Sequence, residues 1–131
     1  MKTFFHGHSY TANPLACAAA NASYHLLLKD ECQNNIKRIA QQQNKFRDKL
    51  LRHRNVKDAR SLGTLLALEV QTNEATSYTS GSRKKIYNYF LKKDILLRPL
   101  GNVIYILPPY IITETELDHV QSVILEFLET L

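Results

Sequence analysis

Apolar and polar positions recur with different periods along this chain, and each change of period marks an element. From residue 14 the sequence is apolar on nearly every side, interrupted only by Asn21, Ser23, His25 and Lys29, and it reads as a helix over 14–29. Asn13 suits its N-cap, and Pro14 suits its first position, where a missing N–H costs nothing. A polar helix is predicted over 31–54, with Ile36, Ile39, Phe46 and Leu50 on one stripe and Gln41, Gln42 and Gln43 on its surface. Residues 56–60 and 65–70 read as strands about a turn at Gly63, and 73–81 as a Ser/Thr-rich loop. Ser82 is placed as the cap of a helix through Lys93 that buries Ile86, Tyr89, Phe90 and Leu91. Residues 95–98 and 103–107 then form a hairpin about Gly101 and Asn102, with Arg98 interrupting its first run and Tyr105 its second. Thr113-Glu114-Thr115-Glu116 is a capping box opening a last helix whose face is Leu117, Val120, Ile124, Phe127 and Leu131.

Both strand pairs have short connections, so they must be antiparallel. The fold class is α/β (α+β): a small, mostly antiparallel sheet of three or four strands with helices packed on one face. The first helix fits this plan poorly. A helix apolar all round is normally buried in a larger body, so it should leave an exposed apolar patch unless something covers it. Within it Cys17 reads as a small core residue, and Cys32 opens the next helix.

Composition narrows the picture only modestly. The 131 residues are 44% hydrophobic, enough for one core, and carry 17 basic against 12 acidic groups, a net +5. The basic residues are spread along two helices, from Lys37 to Arg54 and from Arg83 to Lys93, without interleaved aromatic platforms, so solvated helix faces are expected and nucleic acid is not. Two cysteines make no disulfide framework, and His6, His8 and His25 lack metal-ligand spacing. No apolar run approaches the length of a membrane span, and a cytoplasmic location is the default.

Two places carry candidate chemistry. The loop His6-Gly7-His8-Ser9-Tyr10-Thr11-Ala12 runs into a helix start, where a hydroxyl and backbone N–H groups suit an anion such as phosphate, although an ordinary capped helix would look the same. Arg98 stands in an apolar run before a proline. Buried, it needs an anion, and its planar fork matches a carboxylate; otherwise it reaches water or pairs with Glu69. Tyr105 is either a pocket tyrosine or one packed in the sheet with its hydroxyl at the rim. Arg60 and Gly63 read as structural, one an ion pair and the other a turn. Pro108-Pro109 reads as a rigid trans turn.

HGHSYTANPLACAAANAS at residues 6–23, together with the RPxGxxIYxxPPYII pattern at 98–112, resembles the class III pyridoxal-phosphate aminotransferases. The second pattern is similar to their biotin-biosynthesis branch. The likeness runs from Phe4 to the last helix. It implies the C-terminal small domain of a fold-type I enzyme over 31–131, preceded by a loop and interdomain helix at 1–30 that close the large domain. By that resemblance Arg98 grips the carboxylate of the amino acceptor, Tyr105 and Gly7 border the substrate, and His8 and Ser9 bind the cofactor phosphate of the neighbouring subunit. His8 departs from the family pattern, which commonly has proline there, and Leu100 stands where an aromatic is common.

The resemblance further implies pyridoxal 5'-phosphate as cofactor and amino transfer from S-adenosylmethionine to 8-amino-7-oxononanoate, giving 7,8-diaminononanoate. The family's Schiff-base lysine lies upstream of the loop, and Lys2 is in the wrong context to replace it. The 131 residues alone are therefore expected to be inactive, with a large-domain chain or a homodimer as partner and small-molecule substrates. The alternative is a non-enzymatic, self-associating or regulatory module, suggested by the overly apolar first helix.

Overall fold

The computed structural model describes residues 7, 9, 11–71 and 81–131, the side chains of residues 81 and 82 excepted. The polypeptide divides into two compact units, Met1–Gln33 and Asn34–Leu131. The expectations placed on Lys2, His6, His8 and most of the 73–81 loop lie outside the described residues.

In the first unit, helix α1 spans Pro14–Leu27. The Asn13 side-chain oxygen accepts from the N–H groups of Leu15 and Ala16 at 3.0 and 3.2 Å, as an N-cap should. The helix closes slightly earlier than its apolar run, because the Lys29 N–H bonds back to the Leu26 carbonyl in a tighter turn. Every residue from 11 to 31 is exposed. Leu15 is 82% exposed, and Cys17, expected in a core, is exposed too. The apolar helix thus presents the exposed apolar patch that its all-round pattern implies.

Helix α2 covers Asp30–Leu50, with Asp30 and Glu31 in its first turn and Arg47 and Lys49 in its last, each sign matching the helix dipole. The second unit holds most of α2, strands β1 (Val56–Leu62) and β2 (Leu65–Val70), helix α3 (Gly81–Leu91), strand β3 (Val103–Ile106) and helix α4 (Glu114–Glu129). Helix α3 begins one residue before the expected cap, so Ser82 lies inside it. The sheet is antiparallel throughout, in the order β1-β2-β3. A bulge between Val56 and Asp58 leaves Lys57 as the extra residue, and its ammonium reaches Glu69 Oε1 at 2.8 Å.

Register sorts the two faces. Ala59, Leu68 and Ile104 line up across the strands, and with Leu66, Val70 and Ile106 they point into the core. Against this face pack Ile39, Phe46 and Leu50 of α2, Ile86 and Phe90 of α3, and Leu117, Ile124, Phe127 and Leu128 of α4. Tyr89, Phe90 and Phe127 meet in tilted and edge-on ring contacts with centroids 5.0–5.6 Å apart. The opposite face carries Asp58, Arg60, Leu62, Leu65, Ala67, Glu69, Val103 and Tyr105; all are half-buried or exposed. Helices on one face only was the sequence expectation.

One residue of the glutamine run is not surface. Gln43 is fully buried, because the stripe from Ile39 to Phe46 skips a turn that Gln43 fills. Its Oε1 accepts from Gln121 Nε2 at 3.2 Å, and its own amide approaches the Thr64 carbonyl at 3.5 Å. Beside it, Gln42 Nε2 donates to Asp118 Oδ1 at 2.7 Å, and the Arg38 guanidinium donates to the Ile112 carbonyl, fastening α2 to the approach of α4. The capping box of α4 is complete. Glu116 N–H donates to Thr113 Oγ1, while Glu116 Oε2 accepts from the Thr113 N–H and hydroxyl, both at 2.8 Å. Those bonds, the backbone one foremost, hold the Glu116 carboxyl below its usual range.

The first half of the expected second hairpin is not a strand. Residues 95–99 form no ladder, and only Leu100 bridges Val103. The segment is still side-chain alternating: Ile95, Leu97 and Pro99 turn inward while Leu96, Arg98 and Leu100 turn outward. Pro99 has no N–H to contribute to a ladder. Among the described residues no peptide bond is cis, so Pro108-Pro109 is trans. No described helix is long and apolar enough to cross a membrane, and no group of three His, Cys, Asp or Glu among the described residues could hold a metal ion.

Candidate functional site

Arg98 is carried by the outward row of the 95–99 segment. Its position is fixed from the C-terminal side by a two-residue turn. The Leu100 N–H donates to the Val103 carbonyl and the Val103 N–H to the Leu100 carbonyl, both at 2.9 Å. Gly101 takes the first central position with φ +62°, a conformation that glycine adopts without strain and that such hairpins use there. Arg98 itself is exposed, and it takes part in no hydrogen bond or ion pair among the described residues. The expectation of a buried arginine in need of an anion is corrected by this exposure: its guanidinium reaches water. Nor does it pair with Glu69, whose carboxylate is held by Lys57. A free, exposed guanidinium on a fixed stem can accept a carboxylate bidentately, with little desolvation to overcome.

Tyr105 lies on the open face of the sheet, half-buried, in one row with Ala67 and Arg60. The small Ala67 separates the two larger groups. Arg60 Nη1 is bonded to Asp58 Oδ2 at 2.9 Å, the structural ion pair anticipated for it. A shallow depression of about 240 Å³ on this face is lined by Arg60, Ser61, Leu62, Leu65 and Ala67. Counting back from the Leu100–Val103 bridge sets Arg98 level with Tyr105 in sequence register, although no ladder bonds extend that far.

The loop residues belong to the other unit. Gly7 is exposed, with nothing within 4 Å of where a Cβ would stand, and Ser9 is an exposed turn residue. His8 lies outside the described residues. The helix end behind this loop has its own donors engaged. Leu15 and Ala16 give their N–H groups to Asn13 Oδ1, Cys17 gives its own to the Asn13 carbonyl at 2.9 Å, and Pro14 has none. A phosphate would therefore be met by the Ser9 hydroxyl and by loop N–H groups. A hydroxyl of that kind fits one edge of a phosphate and not the whole of it.

Two features were not anticipated. Asn102 is a buried side chain inside a turn, and Gln43 is a buried amide within a polar helix. For Gln43 the stripe spacing holds the signal; for Asn102 the sequence holds none, because most residues can follow glycine in such a turn.

Residues 1–128 match the family described as Aminotransferase class-III. The chain belongs to that family. It is 38% identical over 127 residues to the adenosylmethionine-8-amino-7-oxononanoate aminotransferase of Synechococcus elongatus, covering 97% of this chain and 29% of that protein. It is similar to the crystal structure of the Methanocaldococcus jannaschii enzyme of the same name, with a TM-score of 0.82 and 31% identity, covering 97% of this chain and 30% of the other. A PMP-bound aminotransferase from Vibrio fluvialis shares the fold, with a TM-score of 0.81 at 23% identity over 98% of this chain and 29% of the other. The family is pyridoxal-phosphate dependent. The chain spans about three tenths of the length of the curated relatives it matches. A three-stranded antiparallel sheet with its helices on one side is consistent with a small α/β piece of a fold-type I aminotransferase.

Proposed function

We propose that these residues are the C-terminal portion of a pyridoxal-phosphate transaminase of biotin biosynthesis, which moves an amino group from S-adenosylmethionine to 8-amino-7-oxononanoate. The loop and α1 close the large domain over 1–30, and 31–131 is the small domain. Arg98 is the acceptor's anchor: its two parallel N–H donors hold the carboxylate at the end of the acceptor, and Tyr105 borders the chain between carboxylate and ketone, while the family resemblance alone supports Gly7 as a substrate-side residue. Ser9, with the His8 backbone, donates to the cofactor phosphate of the neighbouring subunit. The cofactor, when bound, supplies the electron sink that carries the amino group. The residues here contribute orientation, which accelerates reaction only when the reacting group is also present. The lysine comes from polypeptide beyond these residues, contributed by a large-domain chain or a complete subunit in a cytoplasmic dimer, and the 131 residues alone do not turn over.

The observation that carries this reading is the unengaged, exposed guanidinium of Arg98 on a segment held by its own turn. Support comes from relatives that share one named activity and match nearly the whole chain. The test is Arg98→Ala in the active enzyme containing this chain. Losing a charge-assisted pair should raise the acceptor KM about 10- to 100-fold while the donor KM moves far less. Equal weakening of both substrates would remove Arg98 from its role. Amino transfer by the 131 residues alone, given pyridoxal phosphate, would overturn the dependence on a second polypeptide. The fully exposed α1 favours the second reading, a non-catalytic association module, which predicts self-association with no gain of activity when the large domain is supplied.

A further inference from the structure

Hairpin turns normally sit in water, yet Asn102, the second residue of its turn, is only 4% exposed. Its Nδ2 donates to the Val70 carbonyl at 2.8 Å and reaches Glu69 Oε1 at 3.5 Å, while its main-chain oxygen accepts from the Val70 N–H at 3.0 Å. Both side-chain partners are acceptors, so only the NH₂ edge of the amide can face them. The Oδ1 atom is left buried without a partner among the described residues, a cost that chain reversal alone does not require. What the clamp holds is the C-terminal end of the 95–99 segment, which has no ladder of its own. Arg98 stands two residues before the Leu100 bridge, with the buried and φ-restricted Pro99 between them.

We propose that Asn102 is a positioning residue: by clamping the turn to the end of β2 it sets where Arg98 meets a carboxylate-bearing amino acceptor. The inference rests on the reading of Arg98 given above. Asn102 does not touch the acceptor itself. It acts through the main chain from residue 98 to residue 102, so its loss displaces the guanidinium without removing it.

The experiment is a double-mutant cycle in the active holoenzyme with Arg98→Ala, Asn102→Ala and the pair. Asn102→Ala should raise the acceptor KM about tenfold, as expected for a misplaced binding group, with kcat and the donor KM within about twofold. In the Arg98→Ala background it should add almost nothing, since residues acting through one another are not additive. Should Arg98→Ala leave the acceptor KM unchanged, the reading of Arg98 falls and this inference with it. Should Arg98→Ala raise it while Asn102→Ala does not, or should the two effects multiply in full, only the positioning role of Asn102 is overturned. Where Asn102→Ala fails to fold, Asn102→Ser, which keeps a hydroxyl donor near Val70, is judged by the same cycle. Its expected rise is about threefold, and full multiplication with Arg98→Ala again refutes the role.

Discussion

Replacing one member of the Gln43–Gln121 pair should cost more than replacing both. Gln43 is 0% exposed and Gln121 8%, and one amide–amide bond of 3.2 Å joins α2 to α4 between them. Gln121→Leu leaves the Gln43 Oε1 atom buried with no donor, and stranding such a group costs about 1–3 kcal/mol. Gln43→Leu strands the Gln121 amide in the same way and gives up only a weak 3.5 Å approach to the Thr64 carbonyl. The double leucine variant removes donor and acceptor together and adds apolar volume next to Ile39, Phe46 and Ile124, so it should lie within about 1 kcal/mol of the parent. Urea unfolding followed by circular dichroism reads this directly. With a slope of about 2 kcal/mol per molar, each single variant should lower the midpoint by about 1 M, while the double variant returns close to the parent. Additive losses, with the double variant twice as destabilised as either single one, would mean that the amides stabilise the core as independent packing units. The paired-desolvation reasoning would then be wrong.

The remaining predictions concern a cap and a turn. The lowered titration of Glu116 contributes stability that is present above its ordinary value near 4.5 and lost as pH falls through the depressed one. Glu116→Gln should therefore be less stable than the parent at neutral pH and converge with it in acid; a gap that does not change with pH would refute the linkage. Gly63 has φ +56° with open space where a Cβ would stand. Gly63→Ala should cost about 1–2 kcal/mol through backbone strain alone, with Gly63→Asn milder because asparagine tolerates that region. Thermal midpoints rank the three, and an alanine variant as stable as the parent would show that the turn relaxes.

Much of the scaffold was legible from period alone. The alternation of 65–70 gives β2 to the residue, and Thr113 with Glu116 places the start of α4 because a capping box is a local, self-contained device. Residues 95–98 show what a pattern leaves out. Their apolar run, interrupted by Arg98, reads as a strand; the segment is extended with Arg98 outward, but whether a neighbour bonds to it depends on partners the segment does not encode, and Pro99 removes one donor. Gln43 is polar by type but lies on the buried stripe, and its place on the helix decides its burial. At the candidate site, Asn13 takes the N–H groups of Leu15 and Ala16, so the anion expected before α1 is left to the hydroxyl and N–H groups of the loop. Arg98 stands out in the sequence as a charge in an apolar run, and the resemblance gives it a carboxylate; its exposure and freedom from partners among the described residues depend on the tertiary fold.

The two margins of the sheet are unequally guarded. Along β1, the Lys57 bulge and the charges of Asp58 and Arg60 make docking by a foreign strand unfavourable. Strand β3 reads Val-Ile-Tyr-Ile, carries no charge, and on its outer side is bridged only at Leu100 among the described residues. If concentrated samples of these 131 residues form fibrils or swapped dimers, growth should begin at Val103–Ile106. A lysine at position 105 would then improve handling in solution.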